Sequence, residues 1–576
     1  MPRIAPTSRL LGHVVLTLVA LGGLDACTSS PAGGGNMEQT GGSSGSATGG
    51  SKAGSGGSAA SGGINGSGGR SATGGVTATG GMTGSGGVNA SGSGGSSGAM
   101  MGVDGGATGG STGAASGGAS GGAKPTGGAS ASGGSPGKGG APGTGGLSGS
   151  GGAAGAGTGA PGPCDIYQGA NTPCVAAHST VRALYGAYAG PLYQVQRASD
   201  KSTKDIPVGA AGFADTTVQD TFCMGTTCTI PVIYDQSPNG NHLRVTWFAY
   251  WLQNGGNPAS ATAAKISVGG HAVYGIKSGT NVAYRTGAPL SGTASISKGS
   301  ATVTFSTAQT LPANTPLLFA ANAKDCPSNS WPNNCNFKAY FTAAAVNAST
   351  TATLTASYSG TSSSSTAVWN VATKGVATGD QAEAEYSVFD GKTYGQYCCF
   401  DYGNSEISGI DEGNATMEAI SWGADTQFGQ SGGGSGPWVA ADIENGMYEG
   451  YENGSAKVPS NTSVTGFPYV TAMLKGLSAP DCPAGLTSSG CFALKAGNAT
   501  SGKLAYKWNA STSNYGARPP GYSPQKKEGA IILATGGDGS NTGVGIWFEG
   551  AMTMGASTDA TDDAVQANIV AAGYGH

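Results

Sequence analysis

The sequence is poor in charge and in histidine. Charged residues make up 10% of the 576 residues, and only five are histidines. Residues 163–576 hold 21 Lys and Arg against 28 Asp and Glu, a net charge of −7, which argues against nucleic acid and anionic membrane surfaces as targets. The histidines after residue 27 are His178, His242, His271 and His576. None forms a tight cluster with the cysteines, so we expect no metal and no cofactor.

Long apolar runs are also scarce. The stretch over residues 10–24 follows Arg3 and Arg9, ends at Leu-Asp-Ala-Cys27, and is too short to span a bilayer comfortably. This is typical of a signal peptide over 1–27. Cysteine after Leu-x-Ala resembles the lipoprotein cleavage box, although Asp25 is unusual there and an ordinary cleavage site is the alternative. We predict lipidation of Cys27 and a secreted protein at the cell surface or outer membrane, held to the membrane only by this anchor.

Aromatic residues are absent from 28–162, a segment of Gly, Ser, Ala and Thr in irregular short repeats. Such a composition buries too little apolar surface to offset the entropy of ordering the chain. It also lacks the strict three-residue period of collagen. We therefore predict a disordered linker, whose coil dimensions give a mean reach of roughly 60 Å.

The cysteines indicate that residues 163–576 form a folded part held by disulfides. Without Cys27, ten of the eleven cysteines remain, and they lie close together in pairs along the chain. The pairs are Cys164/Cys174, Cys223/Cys228, Cys326/Cys335, Cys398/Cys399 and Cys482/Cys491. Export favours disulfides over thiols or zinc. Sequence alone does not fix the connectivity, and proximity makes these five disulfides the simplest choice.

Residues 163–576 read mostly as strands. Short β-rich runs occur at 229–234, 302–306, 339–346, 351–358 and 530–534. Helical patterns are few, over 180–188 and 562–572. We predict an all-β sandwich or jelly roll. The stretch 288–373 has almost no acidic residues, its own cysteine pair and cleanly alternating strands, so we interpret it as a small inserted all-β segment.

Three acidic sites could carry chemistry. If 438–444 is a strand, Asp442 and Glu444 share one face, about 7 Å apart, beside an aromatic residue. One carboxylate could attack an anomeric carbon while the other binds hydroxyls, although a solvated strand face is the alternative. Asp538 lies in the loop Gly-Gly-Asp-Gly-Ser after an apolar run, where an Asx-turn is the alternative.

The third site is Asp401, with Glu406 nearby, just after Cys398-Cys399. Bonded neighbouring cysteines close a small strained ring, and strain is concentrated at functional sites. Two separate partners are the alternative for these cysteines. Serine or cysteine nucleophile chemistry lacks support, because no G-x-S-x-G motif has a plausible histidine partner.

Five blocks resemble, in order, the catalytic domain of the glycoside hydrolase family 54 α-L-arabinofuranosidases. They are GPCDIYQGANTPCVAAHSTVRALY, QDTFCMGTTCTIPVIYDQSPNGNHL, YCCFDYGN, GPWVAADIEN and KEGAIILATGGDGSN. The resemblance spans about 163–575 and implies a concanavalin-like β-sandwich and a retaining mechanism. It implies that Glu444 is the nucleophile and Asp538 the general acid/base.

The resemblance also implies an arabinose subsite, lined by Asp442, Asn445, Gly537 and the Cys398–Cys399 disulfide. Two positions depart from the family pattern. Gly446 stands where a second Asn is common, and Phe428 stands where a tryptophan is expected. A C-terminal arabinose-binding β-trefoil, which many relatives carry, is not expected.

The sequence thus predicts a monomeric exo-acting enzyme that removes terminal α-L-arabinofuranosyl residues from arabinoxylan, arabinan or arabino-oligosaccharides. An inactive cell-surface lectin on the same scaffold and another furanosidase, such as a galactofuranosidase, are the alternatives. Retention of both Glu444 and Asp538 favours an enzyme.

Overall fold

The computed structural model describes residues 159–326, 337–424, 436–444, 447–448, 451–452, 456–457, 463–484, 486, 490–506, 515–518 and 520–576. The predicted signal peptide, Cys27 and the linker up to residue 158 lie outside these ranges. None of the helices in the described ranges has the length and apolar character needed to cross a membrane.

Over the described residues, two large antiparallel sheets hold most of the strands. The eight-stranded sheet consists, in spatial order, of β1 (Cys174–Ser179), β31 (Ile546–Met554), β19 (Glu383–Asp390), β26 (Tyr469–Leu477), β27 (Cys491–Asn498) and β28 (Ala505–Tyr506), with β9 (Ile276–Lys277) on β31 and β29 (Gly516–Ala517) on β27. The eleven-stranded sheet consists of β23 (Met447–Tyr448), β22 (Trp438–Asp442), β21 (Glu418–Gly423), β20 (Asp401–Ser405), β30 (Ala530–Leu533), β10 (Tyr284–Arg285), β5 (Leu243–Val245), β4 (Cys228–Ile233), β2 (Pro191–Arg197) and β3 (Thr203–Pro207), with β6 (Ala259–Ser260) on β4. The prediction of an all-β sandwich is confirmed.

Four small sheets, three α-helices and three 3-10 helices complete the described elements, and the 3-10 helices are Tyr250–Leu252, Ala320–Asp325 and Ala479–Asp481. The small sheets are β11 (Ala288–Pro289), β18 (Val368–Asn370), β14 (Pro316–Phe319) and β15 (Tyr340–Phe341); β16 (Val346–Thr353), β13 (Thr302–Leu311), β12 (Ala294–Ile296) and β17 (Ser363–Thr366); β24 (Tyr451–Glu452) and β25 (Ala456–Lys457); β7 (Lys265–Val268) and β8 (His271–Tyr274). The helices are α1 (Pro163–Gly169), α2 (Thr216–Phe222) and α3 (Asp559–Ala571). Helix α3 confirms the predicted C-terminal helix and begins three residues earlier.

The central strands of the eight-stranded sheet are buried on both faces. Strands β19, β26 and β27 are buried at nearly every position instead of alternating. Helix α3 contributes to this burial: Lys475 of β26 lies 2.9 Å from the Asp562 carboxylate, and Lys495 of β27 pairs with the same group. Towards the other sheet, Lys527 lies 2.9 Å from both Glu383 of β19 and Glu418 of β21. This ionic group therefore links the two sheets inside the sandwich.

The predicted helix over 180–188 is wrong. The Ser179 hydroxyl accepts hydrogen bonds from the backbone N–H groups of Val181 and Arg182. The backbone N–H of Leu184 donates to the Gln236 side chain, and that of Ala183 donates to Gly212. These donors bind other segments and are not available for helical bonds, so the segment folds as turns and bends.

The segment 288–373 forms two of the small sheets around a core of its own, which includes Val303, Phe319, Tyr340 and Tyr358. Two strand predictions here are only partly correct. The predicted strand over 339–346 is interrupted after Phe341, and the predicted strand over 351–358 ends at Thr353. Whether this segment is an insertion relative to the family stays a prediction.

Candidate functional site

The two strongest acidic motifs lie on the same sheet. Glu444 follows the end of β22 by two residues, and Asp538 lies in the loop after β30. Strands β21 and β20 separate β22 from β30 in the sheet. The sheet order thus brings together two segments that are almost a hundred residues apart in the chain.

Glu444 does not share a strand face with Asp442, contrary to the prediction. Strand β22 ends at Asp442, and Glu444 has φ 62°, in the left-handed region. The Asp442 Oδ1 atom accepts a hydrogen bond from the Glu444 N–H at 3.1 Å, and the Tyr522 hydroxyl donates to the Glu444 carbonyl at 3.0 Å. A non-glycine residue in this conformation costs on the order of 1–3 kcal/mol, and such residues cluster at functional sites.

Asp538 is fixed at both carboxylate oxygens. The Ser540 N–H donates to Oδ1 at 2.9 Å, which is the Asx-turn considered as the alternative. The Trp251 indole Nε1–H donates to Oδ2 at 2.8 Å. The carboxylate therefore does more than cap its own loop, because it also holds a side chain from a distant segment.

Both carboxyls are buried, not solvated. Glu444 is 7% exposed and Asp538 is 8% exposed. Burial raises the pKa of Glu444 well above its usual value, and the charges of Glu406, Asp538, Asp442 and Asp411 raise it further. Burial is also the main cause of the raised pKa of Asp538, with a contribution from Asp411. Glu444 and Asp538 are thus close enough to interact electrostatically inside one low-dielectric site.

Arg285 is a buried cation beside these carboxyls. Its Nη1 donates to the Glu406 carbonyl at 3.1 Å, and its Nη2 donates to the Gly537 carbonyl. Desolvation lowers the pKa of Arg285, while the charges of Glu406, Asp538, Glu528 and Glu444 raise it. Sequence reasoning missed Arg285, Trp251 and Tyr522, because none of them stands in an acidic motif.

Gly537 allows Glu406 to approach the Asp538 loop. A Cβ at residue 537 would clash with Oε2 of Glu406 and with the Met417 sulfur. The Thr416 hydroxyl donates to Oε1 of Glu406 at 2.6 Å. Burial raises the pKa of Glu406 to about 8, so this carboxyl is neutral at lower pH. The structure thus places Glu406 beneath the loop that carries Asp538.

We expect Glu406→Gln to stabilise the protein more at about pH 8 than at about pH 5. The pKa of Glu406 is about 8 in the folded protein and about 4.3 in the unfolded chain, so the folded protein keeps this proton to higher pH. Wild-type stability therefore falls as pH rises between these values, and Gln lacks this dependence. Thermal unfolding of both proteins at the two pH values measures the effect. An equal difference at both would contradict the assignment of a neutral Glu406.

The Cys398–Cys399 disulfide borders the same site. The Sγ atom of Cys399 lies 3.8 Å from Oδ2 of Asp442 and 3.3 Å from the Ser540 hydroxyl. The Sγ atoms of both cysteines and carboxylate oxygens of Asp401 and Asp442 lie within 4.8 Å of one another. Since the cysteines are bonded to each other, they offer no thiolate to a metal ion.

The other predicted cysteine pairs are placed as follows. The structure joins Cys164 to Cys174, Cys223 to Cys228, and Cys482 to Cys491. Cys335, the predicted partner of Cys326, lies outside the described residues. The candidate subsite residues Phe428, Asn445 and Gly446 also lie outside them.

Comparison with known families gives a match over most of the folded part. The family model for the catalytic domain of alpha-L-arabinofuranosidase B matches residues 163–311 and 321–575. The alpha-L-arabinofuranosidase B of Aspergillus oryzae is 40% identical over 422 residues, covering 72% of this chain and 63% of that protein. An arabinofuranosidase/B-xylosidase of Trichoderma koningii is 38% identical over 421 residues, with the same coverage. The chain thus spans slightly less than two thirds of these relatives.

Solved structures agree with this match. A GH54 α-L-arabinofuranosidase soaked with a cyclic sulfate inhibitor is 35% identical, with a TM-score of 0.52, and the match covers 72% of this chain and 66% of that chain. An arabinofuranosidase complexed with arabinofuranosyl-α-1,2-xylobiose has the same identity and TM-score, with 72% and 65% coverage. The family resemblance read from the sequence is confirmed.

Proposed function

The chain belongs to the glycoside hydrolase family 54 α-L-arabinofuranosidases, and from this premise we propose that it is an exo-acting retaining α-L-arabinofuranosidase. One observation carries the proposal. Glu444 and Asp538 are both buried, and the Cys399 sulfur contacts Asp442, which is hydrogen-bonded to Glu444, and Ser540, which is hydrogen-bonded to Asp538. A pair of carboxyls of this kind is what hydrolysis of a glycosidic bond requires.

The proposed reaction has two displacements. In the first, the Glu444 carboxylate attacks the anomeric carbon, and the bond to the leaving group breaks as Asp538 gives its proton to the glycosidic oxygen. In the second, Asp538 takes a proton from water, which attacks the anomeric carbon and releases Glu444. Arg285 is a buried cation on which the charges of both carboxyls act, so its own charge favours the ionised Glu444 that the attack requires.

The stereochemistry of the product tests this mechanism. Direct attack predicts carboxyl groups about 5–5.5 Å apart and arabinose released with retained configuration. Proton NMR of the first product formed from 4-nitrophenyl α-L-arabinofuranoside should show the α anomer before mutarotation. Initial appearance of the β anomer would exclude the retaining mechanism.

The arabinose ring is proposed to bind between Asp442, Gly537 and the Cys398–Cys399 disulfide. The contacts of Cys399 with Asp442 and Ser540 support this, because Asp442 ends the strand that leads to Glu444 and Ser540 belongs to the loop that carries Asp538. Asn445, Gly446 and Phe428 are proposed for the same subsite on the family resemblance alone.

Terminal arabinofuranosyl units of arabinoxylan or arabinan are the proposed substrate. A relative has been crystallised with arabinofuranosyl-α-1,2-xylobiose, which is a fragment of such a polymer. Release of nitrophenol from the arabinofuranoside and not from the corresponding galactofuranoside would separate this specificity from that of a galactofuranosidase. Binding without release from either would identify a lectin.

The enzyme is proposed to act outside the cytoplasm as a monomer, tethered by lipidated Cys27. The signal-like start of the sequence and the disulfides of the folded part support export. The long glycine-rich segment would let the catalytic domain reach polymer away from the membrane surface.

Deletion of residues 28–158 should leave turnover of a small soluble substrate within about two-fold of the full-length value. The segment lacks the apolar residues needed to build a core or a site. Steady-state kinetics on 4-nitrophenyl α-L-arabinofuranoside, with both proteins purified in the same detergent, measure the effect. A large loss of kcat would show that the linker takes part in catalysis.

A further inference from the structure

Trp251 donates two hydrogen bonds to Asp538, the candidate general acid/base, one from its side chain and one from its backbone. Its indole Nε1–H donates to Oδ2 of Asp538 at 2.8 Å, and its backbone N–H donates to the Asp538 carbonyl at 3.0 Å. It lies in a short 3-10 turn, Tyr250–Leu252, and Tyr250 packs edge-on against it at 4.9 Å between ring centroids. The indole is therefore held in a defined orientation against one carboxylate oxygen.

The same indole is also accessible to solvent. Trp251 is 37% exposed, whereas Asp538 is 8% exposed. In the proposed mechanism Asp538 contacts the glycosidic oxygen. The Trp251 indole, which is hydrogen-bonded to Asp538, therefore lies beside the leaving-group sugar attached to that oxygen. Sugars present C–H groups that pack well on aromatic faces. On the basis of the proposed function, we propose that Trp251 positions the Asp538 carboxyl and binds the leaving-group sugar on its exposed face.

The segment 288–373 supports the turn that holds Trp251. Trp247, four residues earlier, stacks on Trp369 of β18 with ring centroids 3.7 Å apart and planes 8° from parallel. On the other side of the turn, the Gln253 amide donates to the Cys326 carbonyl at 3.0 Å. Two contacts thus fix the turn to this segment, which gives the small sheets a role at the leaving-group side of the site.

Among the described residues, the charged groups around Asp538 are Asp411, Glu444 and Arg285, and the Glu406 carboxyl beneath its loop stays neutral up to about pH 8 because burial raises its pKa. Asp411 and Glu444 oppose ionisation of Asp538, while Arg285 favours it. The indole hydrogen bond also favours the ionised form and lowers the pKa of Asp538. All three charges remain in a Trp251→Phe protein, so a change in pH dependence there reports the lost indole hydrogen bond.

Trp251→Phe keeps a ring and removes the indole N–H. We expect the alkaline limb of kcat/KM, which reports the acid of the free enzyme, to move up by about one pH unit. We also expect kcat/KM on arabinofuranosyl-α-1,2-xylobiose to fall about 10-fold, and that on 4-nitrophenyl α-L-arabinofuranoside to fall less, because nitrophenolate leaves with little protonation. KM for the xylobiose substrate should stay within about two-fold, whereas Trp251→Ala should raise it about five-fold.

Trp422→Phe is the matched control, because the indole of Trp422 donates to the Thr393 carbonyl and not to Asp538. It should keep the wild-type pH profile. If Trp251→Phe does not fold, Trp251→Tyr serves as a second ring without the indole N–H. An unmoved alkaline limb, with unchanged kinetics on both substrates, would overturn the positioning role. An unchanged KM in Trp251→Ala would overturn the binding role. If the wild type cleaves neither substrate, the proposed function fails and this inference fails with it.

Discussion

Glu444→Gln should lower kcat by about 10⁴-fold or more on every arabinofuranoside. The amide has nearly the shape of the carboxyl but cannot attack the anomeric carbon. The contacts that fix residue 444 to Asp442 and Tyr522 use its backbone N–H and carbonyl, so they survive the substitution. Initial rates on 4-nitrophenyl α-L-arabinofuranoside, with the nitrophenol measured directly, give the size of the loss.

The stability of this variant separates loss of chemistry from loss of fold. The pKa of Glu444 is raised, so above the pKa of the unfolded carboxyl its ionisation disfavours the folded state, and Gln removes this penalty. Near pH 7 the melting temperature of Glu444→Gln should equal or exceed that of the wild type. Glu412→Gln, the same change at an exposed carboxyl, should keep full activity. More than about one per cent residual kcat would exclude Glu444 as the nucleophile.

The positions of Glu444 and Asp538 in the fold were only partly predictable. The apolar run before Asp538 is a buried strand, as predicted, and the strand considered over 438–444 forms over Trp438–Asp442. The sequence of this segment does not show that the strand stops at Asp442 or that Glu444 takes a left-handed conformation. Residue 444 donates a hydrogen bond to Asp442 and accepts one from Tyr522, and Tyr522 is distant in sequence.

Arg285 and Trp251 show why the rest of the site was not predictable. Arg285 lies in the site because its strand β10 pairs with β30. These two strands are about 250 residues apart in the sequence. Trp251 stands among several aromatic residues, and only the tertiary structure shows that its indole binds Asp538. A local residue pattern indicates whether a segment is a helix or a strand. Which distant strands pair, and in which register, depends on the packing of the whole sheet.

The predicted helix over 180–188 failed for a related reason. Val181 and Leu184 are three residues apart, a helical spacing, and both are buried. Burial was obtained without a helix, because Ser179, Gly212 and Gln236 accept the backbone hydrogen bonds. Short helix α2 was missed, although Asp215 caps it through the N–H of Thr217. Seven residues are too few to show a helical period. The capping residue Asp215 was therefore the sequence signal that could have predicted this helix.

Asp538→Asn should give a loss that depends on the leaving group. Arabinofuranosyl-α-1,2-xylobiose needs a proton on departure, so its kcat/KM should fall by about 10³-fold, within the range for loss of a general acid. The 4-nitrophenyl substrate needs little protonation, so its first step should be nearly normal. Its second step should be slow, because Asn cannot take a proton from water. Stopped-flow measurement should therefore show a burst of nitrophenol equal to the enzyme concentration, followed by slow turnover.

Added azide should distinguish a missing base from a damaged site. Azide is already an anion and attacks without general-base help, so it should speed the slow phase and yield arabinofuranosyl azide of retained configuration. Wild-type rates should not respond to it. Asp390→Asn, the same substitution at a carboxyl that accepts a hydrogen bond from the Thr393 hydroxyl, should behave like the wild type. A variant with equal losses on both substrates, no burst and no response to azide would show that Asp538 supports the fold of the loop and does not transfer the proton.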